Sequence, residues 1–329
     1  MGSTVQFAGG SALWRFLLTA LLLAILHTTA RAASSAKELL ASGQADEAVQ
    51  TFEQETRRDS TNAEAYNLLC RAYFMRDEWD RGIMACEHAI KLDPDKGSYH
   101  LWMGRIYGEK ADRAGFLSAA GLAKKVRTSF ERAVQLEPAN WEARVDLAEF
   151  YLEAPSIVGG GQDKARAQAD ALLSINPAMA HWVRASIAGH NKDGAAAERE
   201  YRAAIEASHG SAQNWLHLAQ FLARTSRFAE MDQALLTMES SAVDRADALM
   251  DGGSLLLRLG RNYPLAIRLL RRYLEAPAEE GPAFKAHDYL GELLERQGDR
   301  RGAAEQYRAA LDLFHGYRRA QEDLKRVEK

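Results

Sequence analysis

Apolar residues along the chain recur in paired runs of helical period. In residues 63–96, Tyr66, Leu69, Cys70 and Tyr73 fall at i, i+3, i+4 and i+7, one face of a helix. After a polar turn, Gly82, Cys86, Ala89 and Ile90 share a second face, until Asp93-Pro94 stops the run. The stretch is predicted as two amphipathic helices joined by a short turn. A small residue early in each second helix marks the repetition: Ala48, Gly82, Val126, Ala165, Ala197, Met231, Ala266 and Ala303, at intervals of 32 to 44 residues. Four positions after each comes a second slot, usually larger: Phe52, Cys86, Phe130, Ala169, Tyr201, Leu235, Leu270 and Tyr307. The small residue lets paired helices approach, and the larger one fills the gap to the next pair. No pair can bury its apolar face alone, so a stack with one continuous core is expected.

Period, turn placement and the closing proline resemble the tetratricopeptide repeat, whose signature is W-x2-L-G-x2-Y, then A-x3-F, then P. The slots read here Tyr66, Leu69, Cys70 and Tyr73, then Gly82 and Cys86, then Pro94. The resemblance covers nearly all of residues 34–315. It implies an all-α, right-handed superhelix of about eight helix-turn-helix repeats, an α-solenoid occupying residues 33–315. Two repeats carry insertions, near 108–121 and near 154–163. The first is alanine-rich and helix-compatible, with Gly115 and Gly121 expected as breaks. The second contains Gly159-Gly160-Gly161 and is expected as a flexible connector; it lacks the spacing of a phosphate-binding loop. This pair of insertions resembles that of a subset of bacterial tetratricopeptide proteins. The charged residues 316–329 are expected as a helix capping the open end of the stack, with the first repeat capping the other.

Residues 1–32 stand apart from this pattern. Arg15 precedes the apolar run Phe16 to Leu26, and Ala30-Arg31-Ala32 offers small residues where a signal peptidase reads them. This run of eleven residues falls short of the about 20 that span a bilayer. A secretory signal cleaved after Ala32 is expected, and with it a periplasmic or secreted protein. Its removal takes away two arginines and no acid, moving the net charge from −3 to −5. A mildly acidic chain without a basic stripe is a poor match for nucleic acid.

Chemistry-bearing residues are sparse. Cys70 and Cys86 sit in core slots, so the first expectation is two buried free thiols; a disulfide, which an oxidising compartment permits, is the alternative. The histidines are scattered with no H-E-x-x-H or C-x-x-C spacing, and His100, His181 and His287 occupy the first aromatic slot of their repeats, where core packing accounts for them. Ser34-Ser35-Ala36-Lys37 contains S-x-x-K without the partner motifs of an acyl-transfer enzyme, and a helix N-cap is the simpler reading. No catalytic residue, cofactor or metal is expected.

The resemblance implies instead a binding protein, because in the family the first helices line the concave side. Positions near i+1, i+5, i+8 and i+9 of those helices then face the groove. They give Asn67, Arg71, Phe74 and Met75 in the second repeat, Arg105 in the third, Glu149 and Glu153 in the fourth, and Trp182 in the fifth. The groove is expected to begin basic, with exposed aromatic and sulfur groups, and to turn acidic. Arginine, methionine and aromatic residues favour protein contacts, so a peptide or helix is the expected ligand. The family's clamp for a terminal carboxylate, Lys at i+1 and Asn at i+5, is not matched by Asn67/Arg71, Leu101/Arg105 or Val145/Glu149. The expected function is a non-enzymatic exported scaffold. A subunit of an envelope assembly or secretion complex is one alternative, and an exported enzyme or polysaccharide-binding protein is another.

Overall fold

The structure is a computed structural model, and it describes residues 37–243, 245–275 and 281–329. The segment read as a secretory signal, with Ser34 and Ser35, lies outside the described residues. After a helical turn at 37–41 come α1 (Ala45–Arg58), α2 (Ala63–Met75), α3 (Trp79–Leu92), α4 (Gly97–Asp112) and α5 (Phe116–Leu136). Then follow α6 (Trp141–Glu153), a short 3-10 turn (Ser156–Val158), α7 (Gln162–Leu172), α8 (Pro177–His190), α9 (Gly194–Ala207) and α10 (Ala212–Arg224). The chain continues through α11 (Phe228–Ser240), α12 (Asp247–Leu259), α13 (Tyr263–Glu275), α14 (Ala283–Arg296), α15 (Arg300–Leu313) and α16 (Arg318–Val327). Among the described residues there is no strand, and no helix is long and apolar enough to cross a membrane.

The helices pair as the slots predict. All eight small positions and all eight partners four residues on are buried, from Ala48 and Phe52 to Ala303 and Tyr307. At Gly82 the fit is close, since a β-carbon would lie 2.2 Å from Ile106 Cδ1 of the next repeat. N-caps follow the sequence too. Asn62, Asn140, Asn176 and Asp193 each accept a hydrogen bond from the third backbone N–H of the helix they open. The even-numbered helices α2 to α14 succeed one another along one wall, each touching the next.

Two expectations are corrected. Gly121 does not break a helix: the third-repeat insertion lengthens α4 to 16 residues and α5 to 21, with Gly115 as the N-cap of α5. Alanines on both sides of Gly121 outweigh its helix cost of about 1 kcal/mol. The glycines of the fourth repeat make the tight chain reversal expected of them. Gly159 has φ +103°, Gly160 packs on the Ala154 carbonyl with no room for a β-carbon, and the Gly161 N–H donates to the Tyr151 carbonyl at 2.7 Å. Finally, Cys70 and Cys86 are not free thiols; they form a disulfide joining α2 to α3, with Cα atoms 5.3 Å apart. Facing core slots of paired helices fall within disulfide reach, which is why burial did not keep them apart.

The larger difference lies at the ends. In an open solenoid a repeat touches only its neighbours. Here the last repeat folds back onto the first. The His315 N–H donates to Asp46 Oδ2 at 2.8 Å across 269 residues, and Lys285 pairs with Asp77 at 3.5 Å. Phe284, Ala310 and Ala320 belong to the same apolar cluster as Leu40, Ala45 and Ala48. The turns that meet lie on opposite rims of the stack: 42–44 and 76–78 lead from a first helix to a second, whereas 314–317 leads from a second to a first. The chain therefore makes one spiral turn whose end rests on its beginning. α16 does cover the last pair, burying Ala320, Asp323 and Val327, but the end it covers is not open.

Candidate functional site

The wall of α2, α4, α6, α8, α10, α12 and α14 faces the inside of this turn. Because each of these helices is flanked by its partner and by two neighbours of its own kind, only a narrow strip of each remains open. Asn67 and Met75 are consequently not groove residues: they are 2% and 5% exposed, and Met75 joins the hydrophobic core. The same crowding buries Leu101, Val145 and Asp288 at equivalent positions. His181 and His287 are half-buried and tie the two helices of a repeat together, bonding to Glu200 and Gln306 at 2.7 and 2.8 Å.

Arg71, Phe74 and Arg105 do come together, around a residue the sequence reading passed over. The guanidinium groups of Arg71 and Arg105 lie over the Trp102 ring at 5.0 and 4.9 Å, and Phe74 meets its edge at 5.5 Å. Arg105 is fully engaged from beyond the ring. Its Nε donates to Asp146 at 2.7 Å and its Nη2 to Glu142 at 2.7 Å, a fork that fixes α4 against α6. Burial opposes its charge, but the two carboxylates outweigh burial and hold its pKa above the ordinary value. Arg71 is less well compensated: burial, with the like charge of Arg105, pushes its pKa down to about 10. Trp102 could have been noticed as a large aromatic residue off the core face of its helix.

The remaining three expected residues share one cleft. Glu149 and Glu153 from α6 face Trp182 from α8, and the cleft continues over Tyr201, Gln220, Phe221 and Arg224, enclosing ≈ 610 Å³. Behind Trp182 lies His217, ring centres 5.2 Å apart, which burial pushes down to about 3 and so keeps neutral. Both glutamates are exposed in the cleft. Glu149 keeps one open edge, but desolvation by the protein packed around the rest of its carboxylate, with the like charges of Asp146 and Glu153, raises its pKa to about 7. Gln220 also lines an adjoining cavity of ≈ 490 Å³ with Asp251, Arg258, Tyr289 and Arg319. Asp251 is pushed up to about 6 by burial and by Asp247. The charge of Arg245, just before α12, acts on Asp251 and also on Asp146 of α6, lowering both.

This wall offers aromatic faces, an engaged arginine pair and desolvated carboxylates, with no nucleophile–base pair among the described residues assembled there. It can hold a chain by shape, stacking and charge. Among the described residues no group of histidine, cysteine and acidic side chains has metal-binding geometry.

Comparison with known proteins supports the architecture. Residues 34–105 and 250–317 match a family model described as tetratricopeptide repeat. Comparison with curated protein sequences finds no match. Among solved structures, yeast Tom70 aligns with a TM-score of 0.53 at 16% identity, covering 86% of this chain and 58% of that one; the chain thus spans less than two thirds of the yeast protein. A tetratricopeptide repeat protein from Parabacteroides merdae aligns over 91% of this chain and 98% of its own, with a TM-score of 0.47 at 12% identity. A thermophilic one from Thermus thermophilus gives 0.49 at 16%, over 58% and 97%. Helix pairing, buried slots and the family match at both ends agree: the chain is folded as a tetratricopeptide-repeat solenoid.

Proposed function

We propose that the chain is a non-enzymatic, exported scaffold that binds an extended segment of another protein along the inner wall of its turn. One observation carries the reading: Trp182, Phe221 and Tyr201 line the same cleft as Glu149 and Glu153, neither of which has an ion-pair partner among the described residues. Aromatic anchors beside desolvated charges are what a protein-binding hot spot uses. The cleft suits a segment that places apolar side chains on Trp182 and a basic one against the glutamates. Export is supported by the apolar run before Ala30-Arg31-Ala32 and by a disulfide, which persists in oxidising compartments. Sequencing the N-terminus of the native protein tests that part, with Ala33 expected as the first residue.

The binding reading is tested by selecting random 12-residue peptides displayed on phage against residues 33–329. Enriched peptides should carry a basic residue near an aromatic or aliphatic one, and should lose binding to Trp182→Ala. Enrichment indifferent to Trp182→Ala and Glu149→Ala overturns the cleft. A second reading, a subunit of a larger assembly, is favoured at one place on the rim: Ile157 is 87% exposed on the 3-10 turn. A subunit role predicts stable co-purification that Ile157→Ser abolishes and Trp182→Ala leaves intact.

A further inference from the structure

The outer layer of the stack carries a groove that the inner wall does not use. It opens between α3 and α5, has a volume of ≈ 510 Å³ and is floored by α4. His100, Met103 and Tyr107 recur on α4 at spacings of three and four, so they form one strip along the floor. Ile90 of α3, half-buried, adds an aliphatic side. Lys91 of α3 and Lys124 and Lys125 of α5 stand exposed on the rims.

Its charges set this groove apart from other outer joints. Glutamate–arginine pairs bridge neighbouring outer helices elsewhere: Glu53 of α1 to Arg81 of α3 at 2.6 Å, and Glu239 of α11 to Arg268 of α13 at 2.5 Å. Between α3 and α5 the positions equivalent to Glu53 and Arg81 hold Glu87 and Lys125. Both cations lie over the tyrosine of their repeat, Arg81 over Tyr73 at 4.3 Å and Lys125 over Tyr107 at 4.9 Å. The second joint is nevertheless left open. Among the described residues Glu87 accepts only from the Tyr107 hydroxyl, at 3.5 Å, and none of the three lysines has a carboxylate partner. Arg132 of α5 pairs with Asp95 at 2.9 Å only beyond the end of α3. In the following joint the corresponding Lys164 is held by the Gly159 carbonyl at 2.8 Å. The groove thus sets three ammonium groups against one carboxylate, on a chain whose net charge is −3.

We propose that this groove docks an acidic amphipathic helix of a partner protein, at a site separate from the inner wall. The apolar surface is recessed between two helices, which suits side chains entering from a ligand and not a flat bilayer surface. A strip of two helical turns, about 10 Å long, takes two aliphatic side chains one turn apart. Lys91 follows its small slot, Gly82, by nine positions, whereas Lys124 and Lys125 come just before theirs, Val126. As second helices of successive repeats α3 and α5 run the same way, so the lysines mark opposite ends of the groove, about 15 Å apart along it. A docked helix therefore carries its acids about ten residues apart, with the aliphatic pair between them. The charges set its orientation and speed encounter, while burial of the aliphatic pair supplies affinity.

The probe is a fluorescein-labelled, alanine-based helical peptide with glutamates near both ends and two leucines one turn apart between them. A second probe carries lysines in place of the glutamates, and a third carries serines in place of the leucines. Anisotropy titrations use residues 33–329. The glutamate probe is expected to bind, and the other two to bind on the order of tenfold more weakly. Lys91→Glu, Lys124→Glu and Lys125→Glu together should exchange the preference between the glutamate and lysine probes, an outcome that unfolding cannot produce. Lys325→Glu, a reversal at an exposed site elsewhere, should leave both titrations unchanged. A glutamate probe that does not bind, binds no better than the others, or is unmoved by the triple reversal overturns the groove. Trp182→Ala should not alter these titrations, so failure of the inner cleft and failure of the outer groove are read separately.

Discussion

The two aromatic centres of the inner wall differ in how their charges are handled. Around Trp102 the charges are paired: Arg105 forks onto Glu142 and Asp146, and the disulfide holds the adjacent helix pair. Around Trp182 they are left open: Glu149 and Glu153 face the cleft, and Glu149 is pushed toward neutrality. A paired, half-buried charge fixes geometry, whereas an unpaired one retains a desolvation cost that a ligand of opposite charge can relieve. The first centre therefore reads as support and the second as the proposed place of contact, the reverse of the preference that residue types alone suggested.

The largest expected effect breaks the support. Replacing Cys70 and Cys86 together by serine should lower stability by about 3 kcal/mol, the value for a closed loop of this size, read as a shift of the urea midpoint. Peptides selected on the parent should still bind the folded variant. Next, Arg105→Ala strands two carboxylates and should cost about 2 kcal/mol in the same unfolding measurement. If it weakened peptide binding without destabilising the fold, the assignment of the Trp102 centre to support would fail. On the other side of the comparison, Trp182→Ala should weaken peptide binding about tenfold, measured by titration calorimetry, with Trp182→Phe recovering most of it.

The smallest effect concerns Glu149. Its pKa rises from the ordinary 4.5 to about 7 on folding, so the native state holds the proton more tightly than the unfolded chain. The stability this contributes is full below about pH 4.5 and is lost as pH rises through 7. Glu149→Gln should flatten that part of the stability profile and raise the melting temperature at pH 8 by about 1–2 °C. For a basic peptide the same substitution should remove the gain in affinity that ionisation brings between pH 6 and 8.

Much of this was legible in the residues. The register of small and large slots placed every repeat, because those positions are fixed by contacts within a repeat and to its immediate neighbour. Glu149, Glu153 and Trp182 line the inner wall, as helical phase placed them, for the same reason. Asn67 and Met75 were misplaced because helical phase describes one helix against one partner, and α2 is enclosed on more than one side. Asp251 went unnoticed where the seventh repeat departs from the pattern, and the cysteine bridge turned on the separation of two facing slots, which spacing along the chain does not report.

By itself, then, the sequence determined the repeat, its pairing and the residues that fill its core, all short-range consequences of side-chain size and helical period. Whether the stack stays open was decided only in three dimensions. Each repeat is rotated slightly relative to the last, and the small rotations add over the whole chain. No local pattern encodes that sum, yet it alone brings Asp46 to His315 and turns a groove into an enclosed space.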